Sequence, residues 1–358
     1  MVSERRKRLI GGWQGRNMFL FGGHCMLGPD VRALCATFFF VTAPLMTFLA
    51  TVGPALGPRK SWAIEAIACI VYVGNMLALA ATSGTDPGVV PRMLSPADAA
   101  TASHGTSAMT KEFRVNDRVV KTKYCLTCST YRPPRCSHCR VCDNCVERFD
   151  HHCPWVGTCI GKRNYRYFII FIFSATFLCV YVVCCSVWLI VLDMEEDEIS
   201  LVKSLGQNQA AAFLAIYAFI PFWFVGGLSS FHTYLLVKNR TTYEHFRSGA
   251  GGSVNPYDLG VASNCHEGIC TASLSLLDNG KISTYEEVLP QASEASMEEG
   301  ALGHGASKTN VTAVKPKTLS PNGASNSTDM FSPSVSRVGS KSTHTVDRAG
   351  SSVSAGLI

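Results

Sequence analysis

Four long stretches of the chain contain no charged residue and are dominated by apolar side chains. They cover residues 33–58, 66–85, 167–192 and 204–237. A helix needs roughly 20 residues to cross a hydrocarbon core about 30 Å thick, so each stretch is long enough to span a bilayer. The cores of soluble proteins seldom supply four such stretches. The pattern predicts an α-helical integral membrane protein with four transmembrane helices, the last of which is a candidate for a kink at Pro221.

Charged residues between these stretches predict how the protein is oriented. Residues 5–8 are all Arg or Lys, the segment between the second and third stretches is basic, and Lys238 and Arg240 follow the fourth stretch. The connection at residues 193–198 is instead acidic. Because basic residues favour the cytosolic side, we expect both termini and the central segment in the cytosol. The first apolar stretch has no small-residue cleavage site and is expected to be an uncleaved span.

The composition agrees with a membrane protein and limits the expected partners. Hydrophobic residues make up 47% of the chain and charged residues only 16%, with a net charge of +6. The basic residues fall where anionic headgroups would lie, so the lipid bilayer is the expected partner and nucleic acid is not. Three N-x-S/T sequons, at Asn239, Asn310 and Asn326, fall on the predicted cytosolic side and are expected to be unglycosylated.

The chain divides at these spans into six segments. From about residue 279 onward Ser, Thr, Gly and Ala dominate, a composition that buries too little apolar surface to fold alone. The prediction is a cytosolic N-terminal segment (1–32), a first transmembrane hairpin (33–85), a cytosolic cysteine-rich domain (86–166), a second hairpin (167–237), a cytosolic C-terminal motif region (238–278) and a disordered tail (279–358).

Half of the sixteen cysteines lie within residues 125–159, together with three histidines. Two C-x2-C steps and a further repeat of that spacing occur here, and in a reducing cytosol such spacing indicates metal binding in preference to disulfides. A zinc ion takes four thiolate or imidazole ligands, so two ions would use eight of the eleven candidates. Three would remain, and spacing does not identify them. A spare cysteine beside a histidine would be a nucleophile beside a base; otherwise the module is purely structural and binds a partner.

The motifs of this segment resemble those of a known family. The run Cys125-x2-Cys128-x3-RPPRCSHC-x2-C-x2-C-x4-DHHC-x-W-V-x2-C-I-G-x2-N resembles the cysteine-rich domain of the DHHC protein S-acyltransferases, or palmitoyltransferases. Further matches are Asp-Pro-Gly at 86–88, TTYE at 241–244 and NPYDLGVASN at 255–264. The resemblance extends over roughly residues 17–264. One departure is Thr158, since the position before Cys159 is usually Asn in this family, and local hydrogen bonding is expected to differ there.

The resemblance implies a role for each motif residue. It implies two structural zinc ions, one held by Cys125, Cys128, His138 and Cys145 and the other by Cys139, Cys142, His152 and Cys159. Cys153 is then the nucleophile, His151 its base and Asp150 the group that orients the imidazole. Cys136 is left as a bystander. Supporting residues are implied at Thr241, Thr242 and Glu244, which would bond to the catalytic loop, and at Asn264, which would anchor the C-terminal segment.

The activity implied by the resemblance is a two-step acyl transfer. A long-chain acyl group would pass from acyl-CoA (palmitoyl-CoA) to Cys153 and then to cysteines of target proteins at the cytosolic membrane face. The implied location is the endomembrane system, in the Golgi, the ER or the plasma membrane, with the need for an accessory subunit left open. Two alternatives are a catalytically silent membrane scaffold whose zinc module docks partners, and a zinc carrier or sensor. An intact Asp150–Cys153 run argues against a scaffold, which has no use for an unligated Cys–His pair.

Overall fold

A computed structural model of the protein describes residues 10–92, 110–247, 255–270 and 286–287. The chain divides into two units, Met1–Leu289 and Pro290–Ile358. The second unit and nearly all of the tail predicted to be disordered lie outside the described residues, as do Asn310, Asn326 and the basic residues 5–8. The description below therefore concerns the first unit.

Within the residues that the structure describes, four helices are long and apolar enough to cross a membrane, which confirms the predicted number of spans. The first is built from two consecutive helices, and short helices precede the fourth span and follow it. In chain order the helices are α1 (Val31–Ala50), α2 (Val52–Leu56), α3 (Ala63–Gly84), α4 (Tyr165–Glu196), α5 (Leu201–Gln207), α6 (Gln209–Val237), α7 (Thr242–Arg247) and α8 (Val261–Ile269).

The helices of the second hairpin do not begin and end where its two uncharged stretches do. Helix α4 continues beyond Leu192 into the acidic residues because Asp193 and Glu196 pair with Arg59, which lies in the turn of the first hairpin. Ser204 belongs to α5, not to the fourth span, and its hydroxyl donates to the Ile190 carbonyl at 2.8 Å. The turns of the two hairpins therefore meet at one end of the bundle.

Polar pairs join the spans inside the bundle. The Asn75 side-chain amide on α3 donates to the Phe171 carbonyl at 2.9 Å on α4. Hydroxyls of Thr176 on α4 and Ser229 on α6 lie 3.0 Å apart. Helix α6 continues through Pro221 from Gln209 to Val237. Interhelical hydrogen bonds of this kind fix the register of helices where lipid gives no hydrophobic drive for association.

The segment between α3 and α4 folds as short antiparallel strands, and one strand from residues 286–287 pairs with them. Within the described residues they form a three-stranded sheet in the order β3–β8–β7, a hairpin β9–β10, and a longer hairpin β4–β5 to which β6 and β11 add. Their bounds are β3 (Val89–Val90), β4 (Thr110–Val115), β5 (Arg118–Cys125), β6 (Thr130–Tyr131), β7 (Ser137–Cys139), β8 (Asn144–Val146), β9 (His151–Cys153), β10 (Thr158–Ile160) and β11 (Glu286–Glu287). Most have two or three residues, too few for a strand pair to be stable alone.

The residues before α1 pack onto this cysteine-rich domain. They contain a small hairpin of two strands, β1 (Met18–Leu20) and β2 (Cys25–Leu27). The Arg16 amide donates to the Cys142 carbonyl at 2.9 Å, and the Asn144 side-chain amide donates to Asn17 Oδ1 at 2.7 Å. The described residues 10–30 are thus joined to the cysteine-rich domain before the first span begins.

Candidate active site and metal centres

A first cluster of metal-ligating side chains lies where β5, β7 and β8 meet. One ligand atom each of Cys125, Cys128, His138 and Cys145 lies within 4.8 Å of all the others. His138 Nδ1 is 3.3 Å from Cys128 Sγ and 3.9 Å from Cys145 Sγ. The three cysteines are buried and unoxidised. The members of this cluster are those that the resemblance assigns to the first zinc.

A second cluster forms beside the β9–β10 hairpin. It contains Cys139, Cys142, His152 and Cys159, again within 4.8 Å of one another. His152 Nδ1 lies 3.7, 3.4 and 3.6 Å from the three sulfurs, in that order, and the sulfurs of Cys142 and Cys159 are 3.4 Å apart. The members of this cluster match the set expected for the second zinc.

Both clusters have the donor atoms and the spacing that zinc requires. Each offers three thiols and one imidazole, a common ligand set of structural zinc sites. With Zn–S bonds of about 2.3 Å and Zn–N bonds of about 2.0–2.1 Å, ligand atoms on a tetrahedron stand roughly 3.6–3.8 Å apart. The nitrogen–sulfur separations in the two clusters, 3.3–3.9 Å, bracket this range. The residues present therefore fit a metal ion at each cluster.

The pleat of β9 explains why adjacent histidines have different neighbours. Successive side chains on a strand point to opposite faces, whereas directly paired residues on neighbouring strands share a face. In the β9–β10 register His152 pairs with Cys159, its companion in the second cluster. His151 and Cys153 point to the other face, toward α4. This places Cys153 outside both metal clusters, in a buried apolar cluster that includes Phe168 and Ile160.

Asp150 and His151 form a tight hydrogen-bonded pair below this face. The separation between Asp150 Oδ2 and His151 Nδ1 is 2.6 Å, and the Asp150 carboxylate is almost fully buried. Burial opposes the charge of His151, but its bonds to Asp150 and Cys153 outweigh burial and raise the His151 pKa to about 10. Burial likewise opposes the charge of Asp150, but the His151 bond lowers the Asp150 pKa to about 2. With Nδ1 held by Asp150, Nε2 is the ring nitrogen free to serve Cys153.

Helix α7 begins at this carboxylate. Thr242, its first residue, donates its amide to Asp150 Oδ1 at 2.9 Å and its hydroxyl to Oδ2 at 2.8 Å. Thr241 Oγ1 accepts from the Glu244 amide, and the Glu244 carboxylate accepts from the Thr241 amide. This is the reciprocal capping arrangement that stabilises helix N-termini. The structure thus brings Thr242 to the carboxylate of Asp150, while Thr241 caps the helix that carries Thr242.

Glu244 also joins α7 to the cysteine-rich domain. Its two carboxylate oxygens each accept from Arg135 at 2.8 Å, in a bidentate pair. Arg135 is 2% exposed. Burial opposes the charge of this guanidinium, but Glu244 raises its pKa. A bidentate pair fixes orientation as well as distance, so the pair holds α7 in register with the metal-binding loop.

Similarity to known proteins identifies the family. The family model described as DHHC palmitoyltransferase matches residues 119–249. "Probable protein S-acyltransferase 6" of Arabidopsis thaliana is 43% identical over 274 residues, which cover 73% of this chain and 67% of that one. "Palmitoyltransferase ZDHHC9" of Bos taurus is 37% identical over 303 residues, 79% of this chain and 83% of that one. The chain belongs to the DHHC palmitoyltransferase family. Membership makes it an enzyme of the protein S-acyltransferase class.

The C-terminal motif of this palmitoyltransferase family member is tied to the end of α6. Asn264 on α8 donates to the Val237 carbonyl at 2.8 Å and accepts from the Leu259 amide. Asn239 is fully buried, and its side-chain oxygen accepts from Arg135 and Arg148. The described sequon asparagine is therefore enclosed by protein. Asn264 lies where it anchors the segment after α6 to the bundle.

Sequence reasoning did not single out His232, which α6 places beside the Asp150–His151 pair. A ring nitrogen of His232 lies within 4.8 Å of ligand atoms of Asp150 and His151, and the residue is 1% exposed. Its Nδ1 is 3.2 Å from the Tyr165 hydroxyl, and its Nε2 has no hydrogen-bond partner among the described residues. The signal was present, because His232 is the only histidine in an otherwise uncharged span.

Asp150, His151 and His232 form a third cluster, which differs chemically from the two metal clusters. It offers no thiolate, and Asp150 and His151 stand at hydrogen-bonding distance, too close for two ligands of one ion. The Asp150 oxygens are already occupied by Thr242. The arrangement is typical of a proton-handling group.

Thr158 occupies the strand position opposite Cys153. It is fully buried, and its hydroxyl has no hydrogen-bond partner among the described residues. A β-carbon added to Gly28 would meet the Thr158 side chain at 2.8 Å. The side chain at this position therefore packs against the N-terminal segment and supplies no hydrogen bond to the loop of the nucleophile.

Proposed function

We propose that Cys153 is the acyl-accepting nucleophile of a protein S-acyltransferase that uses long-chain acyl-CoA. The observation that carries this proposal is the face of β9 on which Cys153 lies. The register directs His152 into a metal cluster and leaves Cys153 unligated, in contact with an imidazole that Asp150 orients. A catalytically silent scaffold would not need this pair, because a structural metal module uses only the other eight side chains.

The first step forms an acyl-enzyme. A cysteine thiol with an ordinary pKa of about 8.5 is only a few per cent thiolate at neutral pH, so a base is needed. Because the pKa of His151 is raised to about 10, Nε2 readily takes the proton from Cys153, and the resulting thiolate attacks the thioester carbon of acyl-CoA. The carbon–sulfur bond to CoA breaks, and the departing CoA thiolate takes the proton from the imidazolium. Asp150 holds the ring tautomer throughout, as the third group of a triad does.

The second step transfers the acyl group to a target protein. A substrate cysteine gives its proton to His151 and attacks the thioester on Cys153, which leaves as a thiolate and is reprotonated. Each step exchanges one thioester for another, so the free energy changes little and the barrier is what the enzyme must lower. Cysteine-containing proteins near the membrane are therefore the proposed substrates.

Zinc is the proposed occupant of both metal clusters. Four protein ligands leave no open position for substrate, so zinc would supply folding energy and rigidity, not Lewis acidity. Cys139 at the end of β7 and Cys142 in the turn after it would be held to His152 on β9 and Cys159 on β10. These ligands fix the strand on which Cys153 sits.

The position of Cys153 beside the spans supports a long acyl chain as the transferred group. A cavity of about 650 Å³ lies along α3, α4 and α6 near α8. Its lining is mostly apolar and comprises Val71, Ile169, Ile170, Phe173, Ser174, Phe177, His232, Thr233, Leu236 and Ile269. Ile169 and Leu236 also belong to the buried cluster that contains Cys153. An acyl chain gains about 0.8 kcal/mol for each buried methylene, which favours a tail among these helices.

Cytosolic termini and an endomembrane location complete the proposal. The salt bridges between Arg59, Asp193 and Glu196 support an arrangement in which both hairpin turns face the same side, away from the basic segments. Buried Asn239 is inaccessible to glycan transfer in the folded protein. The Golgi, the ER or the plasma membrane is the expected host, and the sequence leaves the need for an accessory subunit open.

Labelling with a tagged acyl-CoA tests the proposal. We expect purified protein to form a hydroxylamine-sensitive adduct, and Cys153→Ser to abolish it while both zinc ions are retained. Cys136→Ser is the matched control, because Cys136 lies in the same domain but outside both clusters. Adduct that persists in Cys153→Ser would remove Cys153 from its role. Absence of any adduct in a wild-type protein that carries two zinc ions would favour the scaffold.

A further inference from the structure

The first span reaches the second metal cluster through a carboxylate. Asp30 precedes α1, and its Oδ2 lies 2.8 Å from Nε2 of His152, a residue 122 positions away in the chain. The His152 ring is nearly buried, while the Asp30 side chain is 37% exposed. The carboxylate therefore keeps part of its hydration while it makes this bond.

The tautomer of His152 follows from its two ring nitrogens. Nδ1 faces the sulfurs of Cys139, Cys142 and Cys159 and must be unprotonated to bind a metal. Nε2 then carries the ring proton and donates it to Asp30. A carboxylate in this position fixes the orientation of a ligating imidazole and makes its other nitrogen a stronger donor to metal.

Other contacts hold Asp30 where it can make this bond. Its amide donates to the Gly157 carbonyl at 3.3 Å. About two turns into the helix, the Thr37 hydroxyl donates to the Trp155 carbonyl at 2.7 Å. A β-carbon on Gly28 would lie 2.1 Å from the Gly157 carbonyl oxygen, so only glycine permits this approach. The start of α1 is thus seated on the loop between Cys153 and Cys159.

The first cluster has a carboxylate of a different origin. His138 Nε2 faces Asp143 Oδ1 at 3.5 Å, and both residues lie within one loop of the cysteine-rich domain. The first cluster is complete within that domain. The second cluster draws its carboxylate from Asp30, the residue directly before the first span.

We propose that Asp30 is a positioning residue of the second metal cluster. By orienting His152 from the start of α1, it helps this cluster to retain its ion. This rests on the proposed zinc occupancy. Loss of such a carboxylate lowers metal affinity about 10- to 100-fold at comparable sites. The effect should fall on one cluster only, because Asp30 makes no contact with the first.

The test compares metal retention at the two clusters of the full-length protein in detergent. Zinc release to a chelator is followed together with alkylation of each cysteine, mapped by peptide mass spectrometry. In Asp30→Asn we expect one of the two ions to dissociate about 10- to 100-fold faster. Alkylation should then rise at Cys139, Cys142 and Cys159 and stay low at the three cysteines of the first cluster. Asp30→Glu should restore part of the protection.

Two further variants distinguish loss of the Asp30–His152 bond from a general loosening of α1 against the cysteine-rich domain. Thr37→Val removes the bond to Trp155 without touching the imidazole and should leave both ions in place. Asp143→Asn should expose the first cluster and spare the second. Wild-type retention in Asp30→Asn, equal loss from both clusters, or equal loss in Thr37→Val would overturn the inference. A wild-type protein with fewer than two zinc ions would overturn the metal assignment itself, and this inference with it.

Discussion

At the scale of single residues, the division of labour between His151 and His152 is the feature most open to test. The two side chains are adjacent in sequence and face opposite sides of β9. His151→Ala should leave both zinc ions bound and slow formation of the acyl-enzyme about 10²- to 10⁴-fold, the usual contribution of a general base. Metal content by mass spectrometry and the initial rate of acyl labelling measure the two effects.

Cys142→Ser is the matching change on the metal side. It should release the second ion and lower the yield of folded protein, because three ligands no longer close the cluster. Equal zinc loss in His151→Ala and Cys142→Ser would show that the ligands have been divided wrongly.

The sequence pointed to candidate residues where their chemistry is local, and it missed neighbours that only the fold brings together. Cysteine spacing revealed the metal-binding segment, and the resemblance supplied the ligand sets. His232 and Asp30 escaped because α6 and α1 bring them to β9 from distant parts of the chain. Thr158 was singled out, but its packing against Gly28 is a tertiary contact that no local pattern contains.

At the scale of elements, the first residue of α7 holds the carboxylate of Asp150 in place. Thr242→Val keeps the shape of the side chain and removes one hydroxyl bond to Asp150. A hydrogen bond to a charged group contributes about 1.5–3 kcal/mol, so we expect acylation to slow by about 10-fold or more without loss of zinc. Thr47→Val, which removes a hydroxyl bond within α1, is the control and should label at the wild-type rate. A Thr242→Val protein as fast as that control would leave α7 with a merely structural role.

Element boundaries show what hydropathy can and cannot locate. The centres of all four spans follow from the uncharged stretches, because burial in lipid demands a continuous apolar surface. The end of α4 does not, because Arg59 neutralises Asp193 and Glu196 and lets the helix continue. Strands β7 to β10 were not predicted at all, since ligand geometry and not alternating polarity determines their side chains.

At the scale of the whole molecule, the two halves of the fold depend on different forces. The spans pack through apolar clusters, whereas most buried side chains of the cluster around Cys125, Cys128 and Cys145 are cysteines. Removing metal with a chelator should therefore unfold the cysteine-rich domain and leave the hairpins intact. Limited proteolysis should show new cuts within residues 110–163 while fragments containing α3 and α4 survive. Unchanged protection of that domain would mean that its strands are stable without metal.

The pleat of β9 also limits how the chain can vary in length. Because side-chain direction alternates at every residue, an insertion or deletion that shifts β9 by one position against β10 would turn His151 toward the sulfurs and His152 away from them. A single substitution changes one role at a time, whereas such a shift would exchange the positions of His151 and His152 together. Natural or engineered variants should therefore keep the number of residues from Asp150 to Cys153 constant, even where the flanking sequence differs.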